Sequence, residues 1–143
     1  MIIEFRVKNF RSIREEQCLS LVASKDKDHS NTHLISTGIR GIPHLVTSAV
    51  LYGGNASGKS NLINALSYMK SVVVDSAQIR EGQLFNRPYF KLDAEHSKQP
   101  SEFEVTFLNN GVRYQYGFSI LNDRVAEEWL LVYKSKKPQT WFS

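Results

Sequence analysis

The residues of this chain that could do chemistry crowd into one stretch, "LYGGNASGKSN" at 51–61. Gly53, Gly58, Lys59 and Ser60 satisfy G-x-x-x-x-G-K-[ST], the spacing of a loop that cradles phosphate. Glycines let the backbone fold back on itself, so several N–H groups converge on phosphate oxygens without side-chain obstruction. A helix starting directly after such a loop adds unpaired amides and the positive end of its dipole. In that chemistry Lys59 reaches the terminal phosphates and the Ser60 hydroxyl ligates magnesium. With glycine at about 7% of residues, the pattern alone arises by chance in roughly 0.5% of chains this long. A turn that merely changes direction is therefore the weaker explanation, and the spacing predicts that the loop binds a nucleotide.

Such a loop needs a strand before it and a helix after it. The run "SAVLY" at 48–52 is short, apolar and closed by glycine, which fits a buried strand of a parallel sheet. After the loop, "KSNLINALSYMKSVVVDSA" carries apolar residues at 62, 66, 69 and 73, the spacing of a helix with one core face. Upstream, residues 2–8 alternate, with Ile3, Phe5 and Val7 opposite Glu4, Arg6 and Lys8. Residues 9–14 read as a turn and 17–23 as a second strand, making a hairpin, whereas 24–41 read as a polar exposed loop. Residues 80–100 are irregular, punctuated by Pro88 and Pro100. The period then becomes two: Phe103, Val105 and Phe107 point one way, as do Val112, Tyr114, Tyr116, Phe118 and Ile120. "NNG" at 109–111 supplies a tight turn and Asn122-Asp123 a second, before "VAEEWLLVY". The closing "KSKKPQTWFS" yields no element. The expected architecture is α/β: a mixed sheet, one helix after the phosphate loop, and a three-strand antiparallel meander.

A chain of 143 residues with 41% hydrophobic content suits one ordinary domain, and 22% charged with 11% aromatic residues is globular rather than disordered. The net charge of +4 suits an anionic ligand without demanding nucleic acid. Cys18, the single cysteine, excludes an internal disulfide and fits a reducing compartment; its alternating surroundings, "EQCLSLVA", predict a packed thiol. No apolar run approaches the ~20 residues that span a bilayer. The N-terminus lacks the layout of a signal peptide. A cytoplasmic protein without a membrane partner is expected.

"GGNASGKSN" at 53–61 resembles the "G-x-N-G-[SA]-G-K-S-N" loop of the ABC-type ATPases of chromosome maintenance and repair, RecF, the SMC proteins and their kin. "EFRVKNFRSI" at 4–13 resembles the first strand and turn of that group, where an asparagine-phenylalanine-arginine/lysine step is typical. A closer similarity is to bacterial and archaeal AAA-type ATP-binding proteins allied to the OLD family, in which segments like "SLVASKDK", "FKLD", "PSEFEVTF", "GVRYQYGF" and "EEWL" recur in this order. One departure is Ala56, where the repair ATPases usually have glycine. The resemblance implies a P-loop NTPase fold of ABC-ATPase type, with ATP and Mg2+ as cofactors. It implies that Gly53, Gly54, Asn55, Ala56, Ser57, Gly58, Lys59, Ser60 and Asn61 line the nucleotide site, with Ser60 the magnesium ligand. Arg11 or Ser12 is implied to lie near the nucleotide. Residues 1–79 (strands, loop and helix) and 80–143 (loop and antiparallel strands) would together form an N-terminal lobe.

Hydrolysis needs a carboxylate for magnesium and a residue that positions the attacking water. In the resembled families these follow a late apolar strand as Asp-Glu. The nearest match here, Val72-Val73-Val74-Asp75, sits on the predicted helix and is followed by Ser76, so Asp75 reads as a helix-end residue. Glu127 and Glu128 precede an apolar run instead of following one. A serine-glycine-glycine signature is absent too. The expectation is an N-terminal lobe of a larger ATPase, completed by a C-terminal lobe and a homodimer mate and acting on DNA or an effector nuclease. The alternative is a non-catalytic remnant or interaction module whose loop only stabilises the fold. A self-sufficient kinase or GTPase would need an acceptor site or a guanine-reading motif; no N-K-x-D occurs, and the missing Asp-Glu strand argues against it. Asp28, His29 and His33 lack a fourth metal ligand nearby. Arg6, Lys8, Arg11 and Arg14 read as a solvated face rather than a DNA contact, and Tyr114, Tyr116, Phe118 and Trp129 as sheet core.

Overall fold

A computed structural model describes residues 1–25, 30–55, 57–76, 85–134 and 137–143. Six strands form one sheet in the order β2-β1-β5-β6-β7-β8: β1 Ile2–Lys8, β2 Gln17–Ser20, β5 Ser101–Asn109, β6 Val112–Leu121, β7 Arg124–Tyr133 and β8 Gln139–Phe142. A separate hairpin pairs β3 Leu34–Ile39 with β4 Ile42–Val46; the α-helices are α1 Ser30–His33 and α2 Lys59–Ser76, and a 3-10 turn of helix spans Ala94–Lys98.

The alternation in β1 buries Ile3, Phe5 and Val7, and the meander β5–β6–β7 sets Phe103 against Phe118 and Val105 against Tyr116. Both meander turns rest on residues that tolerate positive φ: Asn110 (49°) with Gly111 (76°), and Asn122 (51°) with Asp123 (58°). Helix α2 lies on the apolar sheet face, where Ala65, Met69 and Val72 join Phe5, Val7, Phe10, Ile13, Phe103 and Phe118 in the core. Leu62 and Leu66 pack against that cluster, while Val73 is turned out, 42% exposed. The buried stripe thus runs through 65, 69 and 72, and position 73 falls beyond its edge.

Several expectations are corrected. The run 48–52 is not a buried strand: it lies outside the sheet, with Val50 70% and Tyr52 90% exposed. Every pairing among the described residues is antiparallel, so the sheet is not mixed at this level. A parallel strand needs a neighbour fed by a crossover. Here the chain leaving α2 returns as β5, which runs antiparallel to β1. The polar stretch 24–41 contains α1 and β3, because Gly38 (φ 69°) and Gly41 (φ 91°) shape a hairpin turn rather than an open loop. The Thr37 hydroxyl closes that turn by donating to the Ile42 carbonyl. The C-terminal stretch forms β8 against β7. The strand expected over 17–23 ends its pairing with β1 near Leu21 and crosses to β4, where Val22 bridges Leu45. Cys18 is exposed, because β2 is an edge strand that packs only Leu19; desolvation by the adjoining sheet still pushes its thiol up. Trp129 stands on the opposite face from Tyr116, flat against Gly117, where a Cβ would meet the indole at 2.3 Å.

Candidate functional site

The loop at 53–58 hands directly into α2. Lys59 curls back over it, its ammonium donating to the carbonyls of Gly53 (2.6 Å) and Gly54 (2.7 Å) and to Ser57 Oγ (3.2 Å). A Cβ at position 53 would lie 2.7 Å from Ser57 Oγ, so a side chain there would push that hydroxyl aside. Gly58 has φ +91°, a conformation side-chain-bearing residues seldom adopt, and it starts the helix by accepting from Asn61 N (2.9 Å) and Leu62 N (3.2 Å). The amides of Gly58, Lys59 and Ser60 have no acceptor among the described residues. The first turn of α2 carries no acidic residue, so nothing there offsets the positive end of the helix. Three amides without an acceptor among the described residues, a helix start and an ammonium bonded only to neutral groups together offer a place for an anion.

Beside the loop opens a hollow of about 540 Å3, walled by Tyr52, Gly53, Ser57 and Lys59 on one side and by Ser12, Arg14 and Glu15 on the other. Of the two N-terminal residues implied near a nucleotide, Ser12 is brought there: its Oγ accepts from Asn61 Nδ2 at 2.7 Å and would lie 3.5 Å from a Cβ on Gly58. Arg11 does not line the hollow; its guanidinium rests 5.5 Å from the Phe10 ring centroid. Asn61 therefore faces the N-terminal turn. Ser60 is exposed, and Ala56 lies outside the described residues. Glu15, the carboxylate on the wall, is ion-paired with Arg14 at 3.4 Å. Asp75 is exposed near the far end of α2, about 24 Å along the helix from Lys59 at ~1.5 Å per residue. Asp28 and His29 of the zinc reading lie outside the described residues, among which no group of three metal-ligating side chains occurs.

What holds Ser12 in place was not visible as chemistry in the sequence. Asn9 is fully buried at φ 53°, and its Nδ2 donates to the carbonyls of His96 (2.8 Å), Gln99 (3.0 Å) and Pro100 (3.2 Å). Its Oδ1 accepts from Phe90 N (3.0 Å), and its own carbonyl accepts from Ser101 Oγ (2.6 Å). Arg87 braces the same segment, donating to the carbonyls of Gln99 and Ser97, each at 2.7 Å. Phe10 drives into the core against Tyr68 of α2 (5.5 Å) and Phe103 of β5 (5.6 Å). The turn is thus pinned on both sides, which leaves Ser12 facing the loop. Asp93, at the start of the 94–98 turn, is held below the usual carboxylate range by the Glu95 amide, with His96 and Arg14 adding to it. The one available signal was the asparagine of the Asn-Phe-Arg step.

Among the described residues no helix is long and apolar enough to cross a membrane. No curated protein matches the chain. Residues 48–143 match the family model described as "AAA domain, putative AbiEii toxin, Type IV TA system", a P-loop ATPase-like family for which nucleotide binding is the general expectation. Because the match spans more than half of the sequence and opens just ahead of the glycine-rich loop, the chain belongs to this AAA domain family.

Proposed function

We propose that residues 53–61 are a Walker A loop that binds ATP with magnesium, and that the chain serves as the N-terminal lobe of an ABC/RecF-like ATPase. One observation carries this reading: the Lys59 ammonium is tethered to carbonyls and a hydroxyl rather than to a carboxylate, beside three amides without a described acceptor. A lysine so held gives up only neutral partners when a phosphate arrives, and gains a charge-assisted bond worth ~1.5–3 kcal/mol. Ser60, exposed at the helix start, would be the protein ligand of magnesium, which when bound neutralises charge on the phosphates. The hollow beyond the loop offers the rest of the nucleotide a wall of Ser12 and Tyr52.

Turnover requires a carboxylate free to hold magnesium and a group to position water. In this reading a C-terminal lobe and a second copy of the protein supply them, in the cytoplasm, and the assembled machine works on DNA or with an effector nuclease. Calorimetric titration of ATP and magnesium into the wild type and Lys59→Ala tests the binding claim. The variant should lose at least roughly tenfold in affinity; equal binding by both would end the proposal. A second reading is favoured by the same tether: Lys59 knits the loop without help, so the loop of a non-catalytic interaction module could use it structurally. That reading expects ATP to raise the melting temperature with no phosphate release, even when the remaining lobe of a relative is supplied in trans.

A further inference from the structure

Arg40 on the β3–β4 turn, Arg113 at the start of β6 and Lys134 just past β7 are remote in sequence but line one hollow of about 400 Å3. Its remaining walls are Gly38, Ile39, Gly111 and Tyr133, so no carboxylate faces it. Three like charges converge here in a chain whose net charge is only +4.

The contrast with the basic residues of the first strand and turn is instructive. Arg6 is paired with Glu4 (3.2 Å) and Glu16 (2.8 Å), Lys8 with Glu102 (3.2 Å), and Arg14 with Glu15 (3.4 Å) and Asp93 (3.6 Å). Those charges are spent within the protein. Arg40, Arg113 and Lys134 have no ion-pair partner among the described residues. Arg113 and Tyr133 also border a second hollow that Glu4, Glu16 and Glu104 line; there Glu104 is engaged by Gln115 Nε2 (2.8 Å) and Trp129 Nε1 (3.0 Å), and Glu4 and Glu16 are held by Arg6.

Two further features suit a particular polyanion. Arg113 is held with its guanidinium carbon 3.6 Å from the Tyr133 ring centroid, a contact that steadies the cation without neutralising it. Gly38, Gly41 and Gly111 have open space where a Cβ would stand, so backbone can be approached closely at both turns. At the rim, Lys134 Nζ lies 5.6 Å from the ring centroid of Trp141, which is 55% exposed on the edge strand β8. Cations that track phosphates beside an exposed aromatic surface are how proteins hold unpaired bases.

We infer that this hairpin end binds the backbone of single-stranded nucleic acid, with Arg40, Arg113 and Lys134 on phosphates and Trp141 stacking on a base. The site is separate from the nucleotide loop and does not depend on it. Anisotropy of a labelled single-stranded oligonucleotide, measured across a salt series, tests it on the full chain. In the triple variant Arg40→Gln/Arg113→Gln/Lys134→Gln, the slope of log affinity against log salt should flatten by about 2, at ~0.7 per phosphate contact on a single strand. Trp141→Ala should weaken single-strand binding between about fivefold and 150-fold while leaving the duplex of the same sequence unaffected. Lys59→Ala should bind the oligonucleotide like wild type, which separates this site from the nucleotide loop. Circular dichroism verifies that the surface variants fold. The inference is overturned if wild type does not bind, if the triple variant keeps the wild-type slope, if Lys8→Gln/Arg14→Gln costs as much as the triple variant, or if duplex is preferred with Trp141 immaterial.

Discussion

Replacing Asn9 with alanine should cost the fold about 3–5 kcal/mol, and the size follows from what the side chain touches. Its loss leaves the Phe90 amide and the Pro100 carbonyl without their described side-chain partner. The Gln99 carbonyl retains Arg87 and the His96 carbonyl retains the Gln99 amide at 3.4 Å, so those two are only weakened. Two orphaned, partly buried groups cost about 1–2 kcal/mol each. Alanine held at φ 53° adds about 1 kcal/mol that asparagine avoids. Urea denaturation of a series separates these terms: Asn9→Gly should recover about 1 kcal/mol relative to alanine, because glycine accepts the backbone angle but not the hydrogen bonds. Asn9→Asp should be the worst, since it sets a carboxylate against three carbonyls. A stability within 1 kcal/mol of wild type for alanine, or an aspartate variant better than alanine, would refute the assignment of Asn9 as the pin of the 9–14 turn.

Other outcomes follow from single contacts. Gly117→Ala should displace Trp129, which a Cβ would meet at 2.3 Å, costing about 1–3 kcal/mol and changing indole fluorescence. Unchanged emission with full stability would contradict the flat packing of the indole. Ser12→Ala should leave the melting temperature within a few degrees of wild type, yet weaken ATP binding by releasing Asn61; unaltered binding would remove Ser12 from the site. Tyr68, half-buried against Phe10 and Phe103 and donating to the Asn86 carbonyl at 2.9 Å, has its phenol pushed up by burial from 10.0 to about 12. A raised folded value means its contribution is fully present below pH 10 and is lost as pH rises toward 12. Ultraviolet titration should show this tyrosine ionising well above the ordinary tyrosine range, together with loss of structure, with Tyr116, whose phenol burial and Glu128 push up further, later still; ionisation near 10 in the folded protein would contradict its burial.

Local pattern carried much of the architecture. The alternation of Ile3, Phe5 and Val7, the turn residues at 110–111 and 122–123, and the apolar stripe of α2 each encode their element within a few positions. What stayed hidden depends on partners distant along the chain. The apolar run 48–52 looks like a buried strand on its own, but burial needs neighbours that none of the described strands provides. The Asn9 network joins residues more than 80 positions apart, and nothing in "NFRS" announces that the irregular segment 86–100 exists to hold it. Trp129 carries the same apolar signal as Tyr116, and only the register across Gly117 sends it to the other face. Glycines 38 and 41 were legible as turn formers, but the hairpin they close was not, because its strands alternate poorly. For the site, the loop and its lysine stand out in the sequence, whereas the choice of Ser12 over Arg11 required the folded turn.

The most direct test is an amide-resolved NMR titration with ATP and magnesium. The amides of Gly58, Lys59 and Ser60 should move most, Ser12 should follow, and the Arg40 and Arg113 amides should stay still. If the resonances of 53–61 do not respond at saturating nucleotide, or respond equally to ATP in Lys59→Ala, the loop is not the phosphate cradle proposed here.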